Sequence, residues 1–248
     1  MQLSLITVAF NACASLEDTI LSVQQQQYQN FEYILVDGGS IDGTPEMVKK
    51  YPETVSSFIS EPDKGIYDAM NKGLKRATGD VVGFLHADDR FAHPRVLKDI
   101  MDVFDNKEVD VVYGDLQYVT SFEPLRVLRH WKSGVFSRQL IQKGWMPPHP
   151  TVYFKRSLLK KIGFFDTSFK ISADYDWLLR LLLSEGVSID YLPEVLVHMA
   201  TGGASNKSIR NIMQKSREDY RAICQNKAGG LLTLANKNLS KIGQFLPL

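Results

Sequence analysis

The feature that most constrains the fold is a regular alternation of short apolar runs and amphipathic segments in the first half of the chain. The apolar runs predict buried strands at Leu3–Phe10, Phe31–Val36, Val55–Ser60, Val81–Leu85 and Val109–Tyr113. Helices are predicted between them at Ser15–Gln27, from Thr44-Pro45, at Tyr67–Ala77 and at Pro94–Asn106. Strands that alternate with helices form a mainly parallel sheet with helices on both faces. The fold class is therefore predicted to be α/β.

The pattern changes after Gly114. Short strand-like pieces and a loop rich in Pro and Gly (Gly144–Pro150) lead to a helix predicted at Asp174–Ser184. Further strands are predicted at Leu116–Thr120, Val127–Trp131, Val187–Tyr191 and Val195–Met199. We predict that residues 1–114 and 115–206 are two halves of one domain, and that residues 207–248 form a separate C-terminal helical tail.

Composition limits the class of protein further. The chain has 248 residues, of which 44% are hydrophobic and 23% charged, as in an ordinary globular protein. The formal net charge of +1 gives no overall attraction to nucleic acid. Two cysteines make no disulfide framework, so we expect a reducing, cytoplasmic compartment. No basic residue precedes the first apolar run and no run reaches about eighteen residues, so neither a secretory signal nor a membrane-spanning helix is expected.

Unusual polar sequences follow each of the first four predicted strands. They are Asn11, Asp37–Gly43, Glu61–Gly65 and His86–Asp89. Because ligands bind at the carboxyl ends of strands in an open parallel sheet, these loops are predicted to form one shared site.

The composition of these loops indicates the kind of ligand. Neither a G-x-G-x-x-G turn nor a G-x-x-x-x-G-K loop is present, which disfavours dinucleotide and P-loop chemistry. Acidic groups repel phosphate unless a cation stands between them. A hard divalent ion held by Asp88, alone or with Asp89, would bridge the site to a diphosphate. The alternative is that this Asp pair only forms a turn before the helix at Pro94.

Several stretches together resemble family 2 glycosyltransferases of the GT-A fold. They are Leu5–Asn11, Val36–Thr44, Ser60–Gly73 and Phe84–Asp89, and the similarity extends through Ser172–Trp177 to Gly202–Ser205. The second and third stretches are long and specific. The resemblance covers about residues 1–206 and implies an enzyme that transfers a sugar from a nucleotide diphosphate, by family habit a UDP-sugar.

The resemblance also implies roles for the loop residues. Asp37 is expected to accept a hydrogen bond from the ring N–H of the base. The rest of the nucleotide site is expected to comprise Thr7, Ala9, Asn11, Glu61, Lys64, His86 and Asp88, with Lys64 near the diphosphate. Asp88 matches the metal-binding Asp of the family's D-x-D pattern, which implies Mn²⁺ or Mg²⁺. His86 replaces the first Asp of that pattern, where it would hydrogen-bond a hydroxyl or bind the metal.

Inversion needs a carboxylate base within reach of the acceptor hydroxyl. By the resemblance this base is Asp174, because the family's Glu-Asp segment reads Ala173-Asp174 here; the alternative is that Asp174 caps a helix. His198 resembles a position where some relatives supply a metal ligand, and otherwise it is structural. The acceptor is expected to contact Trp145, His149 and Asp89, with core packing as the alternative for Trp145.

The resemblance therefore implies an inverting, metal-dependent glycosyltransferase that acts on a hydroxyl of a glycan or lipid-linked saccharide in cell-surface polysaccharide synthesis. Two alternatives remain. A sugar-1-phosphate nucleotidyltransferase shares the need for nucleotide and metal, but would carry a loop rich in Gly and Arg after the first strand. A carbohydrate-binding relative would have lost catalysis through the His86 and Ala173 changes.

Residues 207–241 carry eight Lys or Arg and two acids, Glu218 and Asp219. Apolar residues, among them Ile209, Ile212 and Met213, are interleaved with the basic ones. A basic amphipathic segment of this kind predicts peripheral contact with an anionic membrane at its inner face, near a lipid-diphosphate-linked acceptor. The alternative is a helix that packs on the domain and keeps a solvated basic face.

Overall fold

The structure, a computed structural model, describes residues 1–201 and 209–239. Residues 202–208 and 240–248 lie outside the described residues. They include the Gly202–Ser205 stretch and both ends of the basic segment predicted from residue 207 onward.

Within residues 1–201 and 209–239, nine strands form one sheet. They are β1 (Leu3–Ala9), β2 (Phe31–Asp37), β3 (Ser57–Ser60), β4 (Val81–Phe84), β5 (Asp89–Phe91), β6 (Val111–Phe122), β7 (Leu125–Trp131), β8 (Tyr153–Lys155) and β9 (Ile189–Ala200). The order is β3-β2-β1-β4-β8-β6-β9-β5, and β7 also pairs with β6. β1 to β4 are parallel to their neighbours within this set. In the second half β6 and β9 are parallel, whereas β5, β7 and β8 pair antiparallel with their neighbours.

Helices cover both faces of the sheet, as the fold class predicts. They are α1 (Cys13–Gln24), α2 (Thr44–Val48), α3 (Ile66–Arg76), α4 (Val96–Asn106), α5 (Arg138–Gln142), α6 (Leu159–Ile162), α7 (Ala173–Leu183), α8 (Ile209–Gln225) and α9 (Leu231–Leu239). Two cores form because successive strand residues point to opposite faces. Leu5 of β1 packs in a core with α1 and α4, whereas Ile6 packs in the other core with α3 and α7.

Several boundaries differ from the predicted ones, among them the predicted strands Val187–Tyr191 and Val195–Met199, which form the single strand β9. Two of the differences have a clear local cause. Helix α1 begins at Cys13 with Ala12 at its N-cap, so the predicted cap at Ser15 is wrong. Ala12 is held there because its N–H donates to Thr44 Oγ1 at 3.0 Å, a contact from a distant helix. The predicted break at Gly114 is also wrong, since β6 runs through it: a Cβ there would collide with Leu196 of the adjacent β9. The division of the domain at residue 114 stays a prediction.

The described part of the C-terminal segment packs on the domain. Helix α8 contacts α7 and α9, and Ala222 and Ile223 are fully buried in the core shared with α7. The buried Asp219 carboxylate forms ion pairs with Lys215 and Lys237. These residues therefore match the alternative given above, a helix that packs on the domain. Among the described helices, none has the length and apolar character needed to cross a membrane.

Candidate active site

The candidate site lies where β1 to β4 end. These four strands are neighbours and parallel, so the loops after them meet at one edge of the sheet, as predicted. The nucleotide-site residues expected from the sequence all lie on these strands or on the loops that follow them. A cavity of about 710 Å³ lies elsewhere, near the amino-terminal end of β4, lined by residues such as Leu74, Lys155 and Phe164. None of the predicted site residues lines that cavity.

Two histidines form the centre of the site. The rings of His86 and His149 stack with centroids 5.9 Å apart and planes inclined by 26°. His149 also packs against Phe84 and Phe165. Burial, with a smaller contribution from His86, lowers the pKa of His149 to about 3, so this imidazole is neutral at pH 7. His149, which lies between Pro148 and Pro150, thus places a neutral ring next to the end of β4.

Two carboxylates influence the protonation of His86. Burial lowers the pKa of His86, while the charges of Asp88 and Asp174 act to raise it. Asp88 is two residues along the same loop, whereas Asp174 comes from α7, far along the chain. The charges of the predicted metal-binding carboxylate and of the predicted base therefore both influence the protonation of this imidazole.

Asp174 lies in the first turn of α7, but it does not cap that helix. The N-cap residue is Ser172, and no side chain caps the helix by a hydrogen bond. Instead, Asp174 Oδ1 accepts a hydrogen bond from the Tyr67 hydroxyl at 3.1 Å. The side chain is therefore directed toward α3, and the helix-cap alternative does not describe it, whereas the base role stays a prediction.

Asp88 is exposed at the end of β4 and is the group that could hold a divalent ion. Mg²⁺ and similar hard ions are bound by one or two carboxylates together with substrate phosphates, so a single exposed carboxylate fits this chemistry. His198, the second expected ligand, is partly buried. It lies on β9 opposite Arg90, and burial and the nearby His93 lower its pKa.

Among the described residues, one cluster has three side chains that could together bind a metal ion, and Asp88 is not part of it. It consists of His93, Asp99 and Glu194. Asp99 is already paired with Arg95 at 2.7 Å. The expectation that His198 supplies a second ligand beside Asp88 stays a prediction.

Asp37 is fully buried, and the protein itself supplies its hydrogen bonds. Its carboxylate accepts the backbone N–H of Gly39 at 3.1 Å and of Ser40 at 3.0 Å. It also accepts the hydroxyls of Ser40 and Ser60, the latter at 2.6 Å. Asp37 was expected to accept a hydrogen bond from the base, but here both of its oxygens are buried and hold the loop after β2 and the end of β3.

Three other predicted contact residues are also buried. The Thr7 hydroxyl donates to the Leu85 carbonyl at 2.6 Å and accepts from Tyr33, so it ties β1 to the end of β4. Ala9 packs in the core. Asp89 is only 1% exposed because it begins β5, and burial, with the charge of Asp88, raises its pKa well above the usual range. The expected contact of Asp89 with an acceptor is therefore corrected.

The remaining nucleotide-site residues are exposed along the loops. Asn11 Oδ1 accepts the N–H of Ile41 at 3.2 Å, which links the loops after β1 and β2. Glu61 pairs with Lys72 at 3.0 Å, while Lys64 is exposed just before α3. Trp145 lies away from these loops.

The indole of Trp145 is used inside the protein. Its N–H donates to the Ser133 carbonyl at 2.8 Å, and its ring packs on Tyr113 and Phe136. The core-packing alternative therefore describes this tryptophan in the structure.

Asp63 is a carboxylate that the sequence reasoning did not assign. Gly38 leaves room for it, since a Cβ at that position would collide with Asp63 Oδ2. The same Cβ would lie 3.3 Å from the ring of Phe10, which is exposed. Asp63 Oδ1 accepts the N–H of Gly65 at 2.8 Å, and within the described residues Oδ2 accepts no hydrogen bond. The sequence did contain a signal for Asp63, because this residue lies in the polar Glu61–Gly65 stretch that follows the third predicted strand.

Solved structures of similar shape define the class of fold. The chain superposes on TarS 1–349 of S. aureus in complex with UDP-GlcNAc with a TM-score of 0.71 and 20% identity, covering 96% of this chain and 70% of that one. It superposes on the mannosyltransferase PcManGT from Pyrobaculum calidifontis, in complex with GDP-Man and Mn²⁺, with a TM-score of 0.68 and 17% identity, covering 96% and 69%. It spans 42% of the longer TarS chain. The fold is therefore of the GT-A type.

Sequence comparison then gives the family. Residues 4–173 match the model for glycosyl transferase family 2. The uncharacterized glycosyltransferase MT1564 of Mycobacterium tuberculosis is 34% identical over 195 residues, which cover 75% of this chain and 71% of that protein. A PGL/p-HBAD biosynthesis glycosyltransferase of Mycobacterium bovis is 29% identical over 211 residues, covering 82% and 78%. The chain belongs to glycosyltransferase family 2.

Proposed function

We propose that this glycosyltransferase is inverting and moves a sugar from UDP to a hydroxyl of a glycan or lipid-linked saccharide in cell-surface polysaccharide synthesis. The observation that carries the proposal is that Asp88 lies in the same loop after β4 as the partly buried His86, while Asp174, which is hydrogen-bonded to Tyr67 of α3, lies near enough for its charge to act on the pKa of that imidazole. A single displacement requires one carboxylate that holds a metal ion against the diphosphate and a second carboxylate that acts as the base. The names of two similar proteins support the substrate classes, since TarS was solved with UDP-GlcNAc and another relative acts in PGL/p-HBAD biosynthesis.

The donor would be held along the ends of β2, β1 and β4. Asp88 would hold Mn²⁺ or Mg²⁺, which supplies positive charge to the diphosphate, and the PcManGT complex with Mn²⁺ supports this assignment. Lys64 would add a second positive charge. Strands are spaced about 4.8 Å apart, so about 10 Å separates the ends of β2 and β4. That distance suits a base at β2 and a diphosphate at β4.

At the end of β2 the available base acceptor is Asp63 and not the buried Asp37. A carboxylate only accepts hydrogen bonds, so Asp63 Oδ2 would accept the N3–H of uracil. Phe10, exposed beside it, would pack on the face of the base.

In the catalytic step the acceptor oxygen forms a bond to the anomeric carbon while the bond to the diphosphate oxygen breaks. The electron pair of the breaking bond leaves with the diphosphate, and the proton of the acceptor hydroxyl passes to Asp174. A base positioned in this way typically contributes a factor of about 10² to 10⁴. The neutral His149, next to His86, would contact the acceptor hydroxyls.

The C-terminal helices would bring the enzyme to the inner face of the cell membrane. Ile212 and Met213 on α8, and Leu231 and Leu232 on α9, are exposed. Basic residues such as Arg217 and Lys227 are exposed on the same segment. Apolar side chains flanked by positive charge favour an anionic bilayer surface, where a lipid-diphosphate-linked acceptor would be found.

A screen of nucleotide sugars by melting temperature, followed by product analysis, tests this function. A bound donor stabilises the folded protein by mass action, so a UDP-sugar with Mn²⁺ should raise Tm more than either alone. The same mixture should release UDP slowly and transfer the sugar with inverted anomeric configuration. Release of pyrophosphate from a nucleoside triphosphate and a sugar-1-phosphate would instead identify a nucleotidyltransferase. Saccharide binding without any turnover would identify a carbohydrate-binding relative.

A further inference from the structure

Glu218 of α8 holds the loop that leads into α7. The backbone N–H of Ile171 donates to Glu218 Oε2 at 2.8 Å, and that of Ser172 donates to the same oxygen at 3.0 Å. The N–H of Lys170 donates to both carboxylate oxygens, at 3.0 and 3.1 Å. Three successive N–H groups that converge on one anion form a nest, which fixes the backbone of this loop.

The electrostatics of Glu218 agree with this arrangement. Burial acts to raise its pKa, but the hydrogen bonds from Ile171, Gln214 and the neighbouring N–H groups lower it overall. Glu218 is therefore charged at neutral pH. Because its partners lie 46 to 48 residues earlier in the chain, the contact ties the C-terminal segment to the loop before α7.

Tyr67 of α3 holds the same loop from the other side. Its hydroxyl lies 2.6 Å from the Ile171 carbonyl and 3.1 Å from Asp174 Oδ1, and it donates its one proton to these two acceptors. The ring is buried and stacks on Phe165 at 5.9 Å. Burial, together with Asp174, raises the pKa of Tyr67 far above the neutral range, so the phenol remains a donor.

The two contacts meet at Ile171. Its N–H is bound by Glu218 and its carbonyl by Tyr67, three residues before Asp174. Tyr67 follows Lys64-Gly65 by two residues, and a small cavity of about 30 Å³ is lined by residues of both segments, including Lys64 and Lys170. The loop before α7 is thus held between α8 and α3, the helix that follows the loop expected to bind the sugar donor.

We propose that Glu218 and Tyr67 form a clamp on residues 170–174 that positions Asp174 for proton transfer. The proposal rests on the proposed function, in which Asp174 is the general base. Both are positioning residues: Glu218 acts through the backbone of the loop, and Tyr67 acts through that backbone and a direct hydrogen bond to the carboxylate. The described C-terminal helix α8 is then a part of the catalytic apparatus as well as a packing element.

The expected effect follows from the geometry of general-base catalysis. The base must lie within about 3.2 Å of the acceptor hydroxyl, and a misplacement of about 1 Å can reduce the rate about 10²-fold. Glu218→Ala and Tyr67→Phe should therefore lower kcat by about 10- to 100-fold, whereas KM for the UDP-sugar should change less than about twofold. Glu218→Gln keeps an acceptor oxygen at the nest and should recover most of the rate.

Tyr175→Phe provides a matched control. It also removes a buried tyrosine hydroxyl, next to Asp174 in sequence, but that hydroxyl has no hydrogen-bond partner among the described residues. Its kcat and KM should match those of the wild type. A general loss of packing would affect Tyr67→Phe and Tyr175→Phe equally, whereas the clamp affects only the first.

Amide hydrogen exchange of residues 170–174 in the full chain gives a readout that does not need activity. Glu218→Ala should speed exchange there, with less change in β1 or β2. Faster exchange with an unchanged kcat would overturn the positioning role, and unchanged exchange would overturn the clamp. Should Glu218→Ala fail to fold, Tyr67→Phe decides by the same criteria. If the wild type transfers no sugar, the proposed function has failed, and the exchange result still decides whether the clamp exists.

Discussion

The imidazole of His149 stacks on that of His86, with ring centroids 5.9 Å apart, in a pocket closed by Phe84 and Phe165. Burial lowers the pKa of both imidazoles, that of His149 to about 3. The site therefore presents the uncharged imidazole of His149 beside His86, whose pKa responds to the two carboxylates that we assign to metal binding and proton removal.

This pairing predicts a loss of stability in acid. The pKa of His149 is about 3 in the folded protein and about 6.5 in the unfolded chain, so between these values the unfolded state binds more protons. Stability should therefore fall as pH decreases through this range, and His149 should contribute about 2 kcal/mol of the loss between pH 7 and pH 5. Urea unfolding at the two pH values measures it. His149→Phe should reduce the pH dependence by that amount; an equal dependence in variant and wild type would contradict the prediction.

Asp88 and Asp89 form a matched pair for testing the metal site. Asp88→Asn should weaken Mn²⁺-dependent UDP binding at least about tenfold, because an exposed carboxylate ligand is lost. Asp89→Asn should leave that affinity within about twofold, since Asp89 is buried and its raised pKa favours an uncharged group. Titration calorimetry with and without EDTA distinguishes them. Equal effects of the two changes would remove Asp88 from the metal site.

Asp63 and Asp37 make a second pair, for recognition of the base. Asp63→Asn adds an amide donor that can face the N3 acceptor of cytosine, so the preference for UDP over CDP should fall at least about tenfold. Asp37→Asn should instead lower Tm, because an amide NH2 replaces one of the two buried oxygens that together accept four hydrogen bonds, with little change in the UDP-to-CDP ratio. Competition binding with the two nucleotides gives the ratio. A change of preference in Asp37→Asn alone would reverse our assignment.

The edge of the sheet that carries the site could be predicted, because it follows from the alternation of strands and helices along the sequence. Four buried strands with intervening helices require a parallel sheet, and that requirement brings the loops containing Asn11, Lys64 and Asp88 together. The position of Asp174 could be inferred only from the family resemblance, because its contacts with Tyr67 and His86 join distant parts of the chain.

What the sequence did not predict depends on contacts between distant segments. Asp89 is buried because β5, only three residues long, pairs with β9 about a hundred residues later. Thr7 faces the core because side chains alternate along β1, and a pattern of continuous apolar residues does not reveal which face a given residue occupies. The role of Glu218 could not be predicted, because in the sequence it is simply one of two acids in a basic segment. Its hydrogen-bond partners lie in the loop before α7.

The exposed leucines of α9 allow a test of membrane contact that leaves the core intact. Leu232 is 81% exposed, so Leu232→Glu should preserve Tm while reducing sedimentation with liposomes that contain anionic lipid. Truncation before α9 would be less informative, because it removes Lys237 from the buried Asp219. Neutral liposomes serve as the control for charge. Equal sedimentation of variant and wild type would exclude this surface as the docking site.

The most direct test of the central claim compares Asp174→Asn with the wild type in donor binding and in sugar transfer. Asparagine has nearly the same shape and accepts the Tyr67 hydrogen bond, but it cannot take the acceptor proton. We predict an unchanged affinity for the UDP-sugar with Mn²⁺ and a transfer rate lower by at least about 10²-fold. Transfer at the wild-type rate by Asp174→Asn would contradict the account.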